Sequence, residues 1–243
     1  MSYLQRRPGA VRYHAVRLVL KAVTSAYLRT RVEGAERIPA TGSYIICFNH
    51  PSWLDPVFFA AYWPDAERPL YIFGPRERDM STGVRNRLIT WTRRGVPFMP
   101  DAHDVIDVTR RAVGVLDSGA CLAIAGEGRL SDHEGRILPL ETGLAHFARL
   151  AKVPILPVAI VGSRWIHFGS RVTITVGRAV HAGDFPGGRP GARAMTDVVQ
   201  AELQGLLAGV EDRDPPGWFG RTISEAFNDR PWLDEVEEPD RVG

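Results

Sequence analysis

The chain is poor in cysteine and lysine and lacks a long apolar run. Its two cysteines, Cys47 and Cys121, lie in apolar segments without CxxC spacing, so we expect buried free thiols rather than a disulfide framework. Such cysteine use fits a reducing compartment. Lys21 and Lys152 are the only lysines, which leaves few candidates for a Schiff base with a substrate.

No segment approaches the roughly 18 uncharged apolar residues that a membrane-spanning helix needs. A signal peptide is not expected either, because Arg12, Arg17 and Lys21 interrupt the segment that would be its apolar core. The net charge of +2 is too small to indicate a nucleic-acid partner. We therefore expect a protein that neither spans a bilayer nor binds nucleic acid.

The 243 residues are 44% hydrophobic and 24% charged, as is typical of a globular protein with a sizeable core. The charge is unevenly spread. Residues 1–40 carry eight basic groups against two acidic ones, and residues 211–243 carry ten acidic groups against four arginines. We divide the chain into an N-terminal basic amphipathic helix at 1–32, an α/β domain at 33–210 and an acidic C-terminal tail at 211–243.

Residues 9–30 have the periodicity of a helix. Apolar residues recur along one side of it, namely Val11, Ala15, Leu18, Val19, Ala22 and Val23. A basic amphipathic helix of this kind can lie on an anionic bilayer surface. Alternatively, its apolar side packs on the domain and its basic side chains are simply solvated.

Short apolar runs alternate with helical segments through the rest of the chain. Six runs have the length of strands: Tyr44–Phe48, Leu70–Phe73, Val96–Met99, Cys121–Ala125, Ile155–Val161 and Val172–Val176. Five segments have helical periodicity: Leu54–Tyr62, Thr82–Thr92, Val105–Leu116, Gly143–Leu150 and Met195–Leu207. This alternation predicts an α/β fold in which helices flank a mixed, largely parallel sheet. The tail from Glu211 onward is expected to be loosely attached, although its aromatic residues suggest docking.

Candidate catalytic residues follow the first of these strands, at Asn49-His50-Pro51-Ser52-Trp53-Leu54-Asp55. A tight turn there would let Asp55 accept a hydrogen bond from one imidazole nitrogen of His50 and leave the other nitrogen as a base. The chain has no Gly-x-Ser-x-Gly elbow, which favours a nucleophile supplied by the substrate. Alternatively, His50 is a buried structural residue and Asp55 a helix cap.

Two further blocks follow or form later strands. Gly126-Glu127-Gly128-Arg129-Leu130-Ser131 comes directly after Cys121–Ala125. Its glycines allow close backbone approach to a ligand, its carboxylate can accept from a hydroxyl, and its arginine can bind a phosphate. Alternatively, this block is an ordinary solvated turn. The segment Val153–Val158 carries two prolines three residues apart, and we expect it to shape the floor of a pocket.

These blocks, in this order, resemble the glycerophospholipid acyltransferase family, typified by 1-acylglycerol-3-phosphate acyltransferases. The family's Asn-His-x-x-x-x-Asp motif is matched by Asn49, His50 and Asp55, with Ser52 inside it. Its Pro-Glu-Gly-Thr-Arg-Ser motif is matched in part at residues 126–131, and its Val-Pro-Ile-x-Pro-Val motif at Val153–Val158. The resemblance covers roughly residues 30–185.

The resemblance implies an O-acyltransferase in which His50, oriented by Asp55, removes a proton from a lipid hydroxyl. Acyl-CoA or acyl-carrier protein would donate the acyl group, and neither a metal nor a cofactor would be required. The substrate-binding residues carried over are Asn49, Ser52, Gly126, Glu127, Gly128, Arg129 and Ser131. The N-terminal helix would hold the protein on the cytoplasmic, inner face of the cell membrane.

Two positions depart from the family pattern. Asp101 stands where the second motif has a phosphate-binding arginine, and Leu130 stands where the third motif has one, with Arg129 one residue early. These changes leave open a glycolipid, a lysolipid with a different head group or another alcohol as acceptor. They also leave open an acyl thioesterase and a non-catalytic acyl- or lipid-binding module. A metal-dependent hydrolase using His50, Asp55, His103 and Asp104 is a more distant alternative.

Overall fold

A seven-stranded sheet organises the protein. The computed structural model describes residues 10–75, 91–98, 105–131 and 133–228. The strands are β1 (Arg29–Glu33), β2 (Ile45–Phe48), β3 (Leu70–Pro75), β4 (Gly95–Phe98), β5 (Cys121–Ala125), β6 (Ile155–Val161) and β7 (Arg171–Val176). The helices are α1 (Ala10–Tyr27), α2 (Asp55–Tyr62), α3 (Val105–Asp117), α4 (Gly143–Ala151), α5 (Gly188–Leu206) and α6 (Trp218–Asn228).

The order of strands across the sheet is β1-β7-β6-β2-β5-β3-β4. Neighbouring strands are parallel except β6 and β7, which are antiparallel. The predicted mixed, largely parallel sheet with flanking helices is thus confirmed. Because β2 lies between β5 and β6 and runs parallel to both, the carboxyl ends of these three strands meet at one edge of the sheet. Because the candidate catalytic residues predicted from the sequence follow β2 and β5, we call this the catalytic edge.

Alternate residues of β2 belong to two separate cores, one on each face of the sheet. Ile45 and Cys47 pack with α3, α4 and α5 on one face. Ile46 and Phe48 face the other side, where α2 covers the sheet and α1 packs against α2. All four side chains are buried, as expected for a continuous apolar strand that is covered on both faces.

Three differences from the sequence-based expectation stand out. The first helix ends at Tyr27 rather than at residue 30, and β1 follows almost at once. This strand is an edge strand with alternating exposed residues, and its polar composition hides it from a search for apolar runs. Within the expected tail, residues Trp218–Asn228 form a helix. The expected helix Thr82–Thr92 lies mostly outside the described residues.

Among the described helices, none combines the length and the hydropathy that crossing a bilayer would require.

Candidate active site

The first motif begins where β2 ends, and its asparagine joins two strands. The buried Asn49 side chain donates from Nδ2 to the carbonyl of Ile160 at 2.9 Å, and its Oδ1 accepts from the Ile160 amide at 2.7 Å. Both contacts continue the pairing of β2 with β6 beyond the end of β2. Asn49 therefore sets the position of the next residue, His50, and both its Nδ2 and its Oδ1 form hydrogen bonds within the protein.

His50 and Asp55 form a hydrogen-bonded pair. The Nδ1 of His50 lies 2.8 Å from Oδ2 of Asp55, and the same oxygen accepts from the Ser52 amide at 3.0 Å. The turn is closed by a bond from the Asp55 amide to the Ser52 carbonyl, and α2 begins at Asp55 with Pro56 in its first turn. This compact turn brings together two side chains five residues apart, as the motif predicts.

The surroundings of the pair suit a base. The Asp55 side chain is fully buried, whereas 11% of the His50 side chain is exposed. The imidazole lies edge-on to the rings of Phe48 and Trp53, with ring centroids 5.7 and 6.1 Å away. Because a carboxylate accepts only, Nδ1 carries the proton of this hydrogen bond. The other nitrogen, Nε2, is then the one with a free lone pair.

Glu127 connects two loops of the site. Its Oε1 accepts from the His50 amide at 3.1 Å, and its Oε2 accepts from the Leu138 amide at 3.1 Å. The residue is buried, and desolvation raises the pKa of its carboxyl group to about 6 although the two backbone donors lower it. Both carboxylate oxygens thus accept hydrogen bonds from backbone amides. We infer that Glu127 stabilises the two loops of the catalytic edge.

The glycines of the second block have distinct roles. At Gly126 an added Cβ would lie 2.6 Å from Sγ of Cys47 and 2.7 Å from Cδ2 of Leu140, so no larger residue fits without a shift. Gly128 has a φ of 69°, a left-handed conformation that glycine adopts at little cost. The Gly126 amide extends the pairing of β5 with β2 by donating to the Phe48 carbonyl at 3.1 Å. After the turn, the Ser131 amide donates to the His50 carbonyl at 2.8 Å.

The side chains after Gly128 point in different directions. Arg129 is exposed, whereas Leu130 is buried with 4% exposure. Because Leu130 is part of the buried interior, the arginine of the family pattern has no counterpart at that position, and Arg129 lies on the solvent side of the turn. Ser131 is buried and donates from Oγ to the His133 carbonyl. Asp101, the other departure, lies outside the described residues.

Comparison with known proteins agrees with this geometry. A family model described as Acyltransferase matches residues 29–161, which is more than half of the chain. The chain belongs to the acyltransferase family. The matched range extends from β1 to the end of β6 and so contains all three motif blocks. The predicted resemblance to acyltransferases is thereby confirmed.

Curated relatives of this acyltransferase-family chain include the 1-acyl-sn-glycerol-3-phosphate acyltransferases alpha of Mus musculus and Homo sapiens. They are 29% and 28% identical to it over 149 residues, which are 60% of this chain. The chain spans about half the length of these relatives, since the matches cover 50% of each. Among solved structures, the 1-acyl-sn-glycerophosphate acyltransferase PlsC from Thermotoga maritima matches with a TM-score of 0.62 and 22% identity. That match covers 85% of both chains and supports the fold.

Sequence reasoning missed a group of residues that supports the acyltransferase motifs. Arg164 donates from its NH1 nitrogen to the Ser131 carbonyl at 3.0 Å. The buried Glu134 accepts from the Gly162 and Arg164 amides at 2.9 Å each, and burial raises the pKa of its carboxyl group. The sequence could have indicated this group, because Gly162-Ser163-Arg164 directly follows β6 at the same edge of the sheet as the other motifs.

A metal site has no support in the described part of this chain. Within residues 10–75, 91–98, 105–131 and 133–228, no three His, Cys, Asp or Glu side chains are grouped as metal ligands. His103 and Asp104, which the metal-hydrolase alternative requires, lie outside those ranges.

Proposed function

We propose that this protein is an O-acyltransferase that moves a fatty acyl group from acyl-CoA or acyl-carrier protein to a hydroxyl of a lysophospholipid. The observation that carries the proposal is the His50–Asp55 hydrogen bond of 2.8 Å at the catalytic edge. A neutral imidazole with one nitrogen held by a buried carboxylate is a suitable general base for an alcohol. The names of the curated relatives support the acceptor class.

The proposed reaction proceeds by direct attack. Nε2 of His50 removes the proton from the acceptor hydroxyl while the hydroxyl oxygen attacks the thioester carbonyl carbon. The C–S bond of the tetrahedral intermediate then breaks, and the imidazolium returns the proton to the leaving thiolate. Asp55 favours the imidazolium because its carboxylate is buried against Nδ1. Each proton is accounted for, and the scheme needs neither a metal nor a cofactor.

The acceptor's head group is the part of this proposal that departs most from the family pattern. Leu130 is buried and Arg129 is exposed, so the third motif presents no arginine from the position that the family uses. A 1-acylglycerol phosphate is the first acceptor to test because the curated relatives are named for it. The missing arginine is the reason to test lysophospholipids of other head groups and a glycolipid beside it. The same base with water as nucleophile would make the protein a thioesterase.

We also propose that α1 binds the surface of a bilayer, on the inner face of the cell membrane where both acyl donors are available. The apolar residues predicted along one side of this helix are all exposed: Val11, Ala15, Leu18, Val19, Ala22 and Val23. Its other side is tied to the domain, with Tyr13 buried and Arg17 donating to the Trp63 carbonyl at 2.6 Å. A helix with an outward apolar side and basic flanks is typical of interfacial binding.

The decisive experiment measures thiol release and product together. Wild-type protein with acyl-CoA and each acceptor should release free CoA and form an ester that mass spectrometry identifies. His50→Ala should lower the rate by at least about 10²-fold, because general-base catalysis contributes that much or more. His146→Ala is the matched control, since His146 is exposed on α4. Free fatty acid without ester would identify a thioesterase, and unchanged turnover in His50→Ala would end the proposal.

A further inference from the structure

Three exposed aromatic side chains lie on two segments that pack against each other, since a Cβ added at Gly220 of α6 would lie 3.1 Å from Cβ of His167. Phe168 is 75% exposed, Trp218 is 79% exposed and Phe219 is 60% exposed. We call these three residues the aromatic corner. Trp218 and Phe219 contact each other edge-on with ring centroids 5.9 Å apart. Exposed apolar groups that cluster in this way commonly mark an interaction site.

The backbone under the aromatic corner is firmly held. The Ser224 hydroxyl of α6 accepts from the Ile166 amide at 2.9 Å, and Asn228 donates from Nδ2 to the Arg164 carbonyl at 2.6 Å. Ile223 packs against the core that contains Ile166. Because the inward side of α6 is anchored to the loop before β7, the exposure of Trp218 and Phe219 does not result from a loose chain end.

The aromatic corner continues the exposed side of α1. The ring of Tyr27, at the end of α1, contacts the ring of Phe168 edge-on at a centroid distance of 6.0 Å. The Gly169 amide donates to the Tyr27 carbonyl at 2.8 Å. One turn before Tyr27, Val23 is 62% exposed. The apolar side of α1 and the aromatic corner are therefore adjacent.

The aromatic corner also lies at the catalytic edge. The loop that carries Phe168 connects β6 to the antiparallel β7, so it leaves the sheet where β6 ends. Two hydrogen bonds connect this loop to the site: Arg164 donates to the Ser131 carbonyl, and the Ser131 amide donates to the His50 carbonyl. A surface bound by this corner would therefore lie beside the edge of the sheet that carries His50.

We propose that the aromatic corner is a second bilayer contact, which with α1 turns the catalytic edge toward the lipid surface. The inference rests on the proposed lipid acceptor and names how that acceptor is reached. Trp and Phe side chains favour the boundary between head groups and acyl chains. Contact through α1 alone leaves rotation about the helix axis open, whereas a second contact beside its end removes that freedom.

The test compares the binding of protein variants to vesicles that contain about one quarter anionic lipid. Trp218→Ser/Phe219→Ser should lower the partition coefficient by about tenfold or more, because two aromatic side chains no longer enter the interface. Leu150→Ser/Val198→Ser is the matched control, since it removes two exposed apolar side chains on the opposite face of the sheet. That control should bind as wild type does.

A second variant and a second readout keep the test independent of folding. Phe168→Ser lies outside α6 and should weaken binding on its own, while circular dichroism checks that both variants are folded. Brominated lipids should quench Trp218 fluorescence, taken as the difference between wild type and Trp218→Phe. Turnover of vesicle-bound acceptor should fall in the double variant, whereas turnover of detergent-dispersed acceptor should not.

Three results would overturn the inference. The first is wild-type vesicle binding by both aromatic variants. The second is a Trp218 already shielded from acrylamide before lipid is added, which would mean that the corner is covered by other residues. The third is a dimer that separates in the double variant while vesicle binding is unchanged. The same binding assay in the His50→Ala background involves no turnover and therefore tests the bilayer contact alone. Wild-type protein that binds vesicles but forms no ester would count against the proposed function and not against this inference.

Discussion

Replacing Asp55 by Asn tests the arrangement of the catalytic pair with almost no change in side-chain volume. In the wild type, one buried oxygen, Oδ2, accepts from both His50 Nδ1 and the Ser52 amide. The other oxygen, Oδ1, accepts no hydrogen bond from the described residues. An amide side chain at this position must therefore choose between two arrangements, and both are unfavourable.

If the amide oxygen takes the place of Oδ2, both hydrogen bonds survive but the negative charge that favours the imidazolium is lost. The amide nitrogen then occupies the Oδ1 position, and a buried donor without an acceptor costs about 1–3 kcal/mol. If the amide is reversed, its NH2 group opposes the Ser52 amide and forces the proton of His50 onto Nε2. In that tautomer the nitrogen that should act as base has no free lone pair.

We therefore expect kcat of Asp55→Asn to fall by about 10²- to 10⁴-fold, which corresponds to about 3–5 kcal/mol. The upper figure is the loss produced by the equivalent change in Ser-His-Asp enzymes. The assay is the rate of thiol release from acyl-CoA at saturating acceptor, with thermal unfolding followed in parallel. Asp197→Asn is the control, since it makes the same chemical change on an exposed side chain of α5. A folded Asp55→Asn protein within about fivefold of wild-type kcat would refute the proposed role of Asp55.

Two further predictions concern Glu127 and the close packing around Gly126. Burial raises the pKa of Glu127 from 4.5 to about 6, so its contribution to stability is fully present below pH 4.5 and is lost as pH rises through about 6, by about 2 kcal/mol in total. Glu127→Gln should remove this slope from the pH dependence of the unfolding free energy in urea, and an unchanged slope would assign it to other groups. Gly126→Ala should destabilise the fold by about 1–3 kcal/mol, because its Cβ would lie 2.6 Å from Sγ of Cys47. Calorimetry against Gly143→Ala, where nothing lies within 4 Å of the added Cβ, checks this, and equal melting temperatures would contradict it.

The amino-acid sequence was sufficient to predict those features that depend on residues close together in the chain. Six of the seven strands coincide within one or two residues with apolar runs. Of these, β2, β5 and β6 are apolar because both faces of the sheet are covered there. The His50–Asp55 pair is local as well, since a tight turn and the start of α2 bring residues five apart into contact. Family motifs report such spacings directly.

The sequence did not reveal what the side chains near the site contact. The motifs predict Asn49 and Glu127 as substrate-binding residues. In the structure, however, both side chains form hydrogen bonds with the backbone, at Ile160 and at His50 and Leu138 respectively. Those partners are as much as 111 residues away along the chain. A motif does not identify the hydrogen-bond partner of a polar residue within it. Only the assembled strands therefore decide whether that residue contacts a ligand or the protein.

The orientation of α1 likewise depends on tertiary contacts that the sequence did not reveal. Its periodicity determined that one side is apolar, but not which way that side faces. The tertiary structure turns it outward, because Tyr13 packs beneath the Arg94 guanidinium at 5.3 Å and Arg17 binds the Trp63 carbonyl. Likewise, the polar β1 joins the sheet because β7 offers it an unpaired edge. The sequence thus determined the elements and the catalytic spacing, whereas contacts between distant segments decided which surfaces are buried and which are left for a partner.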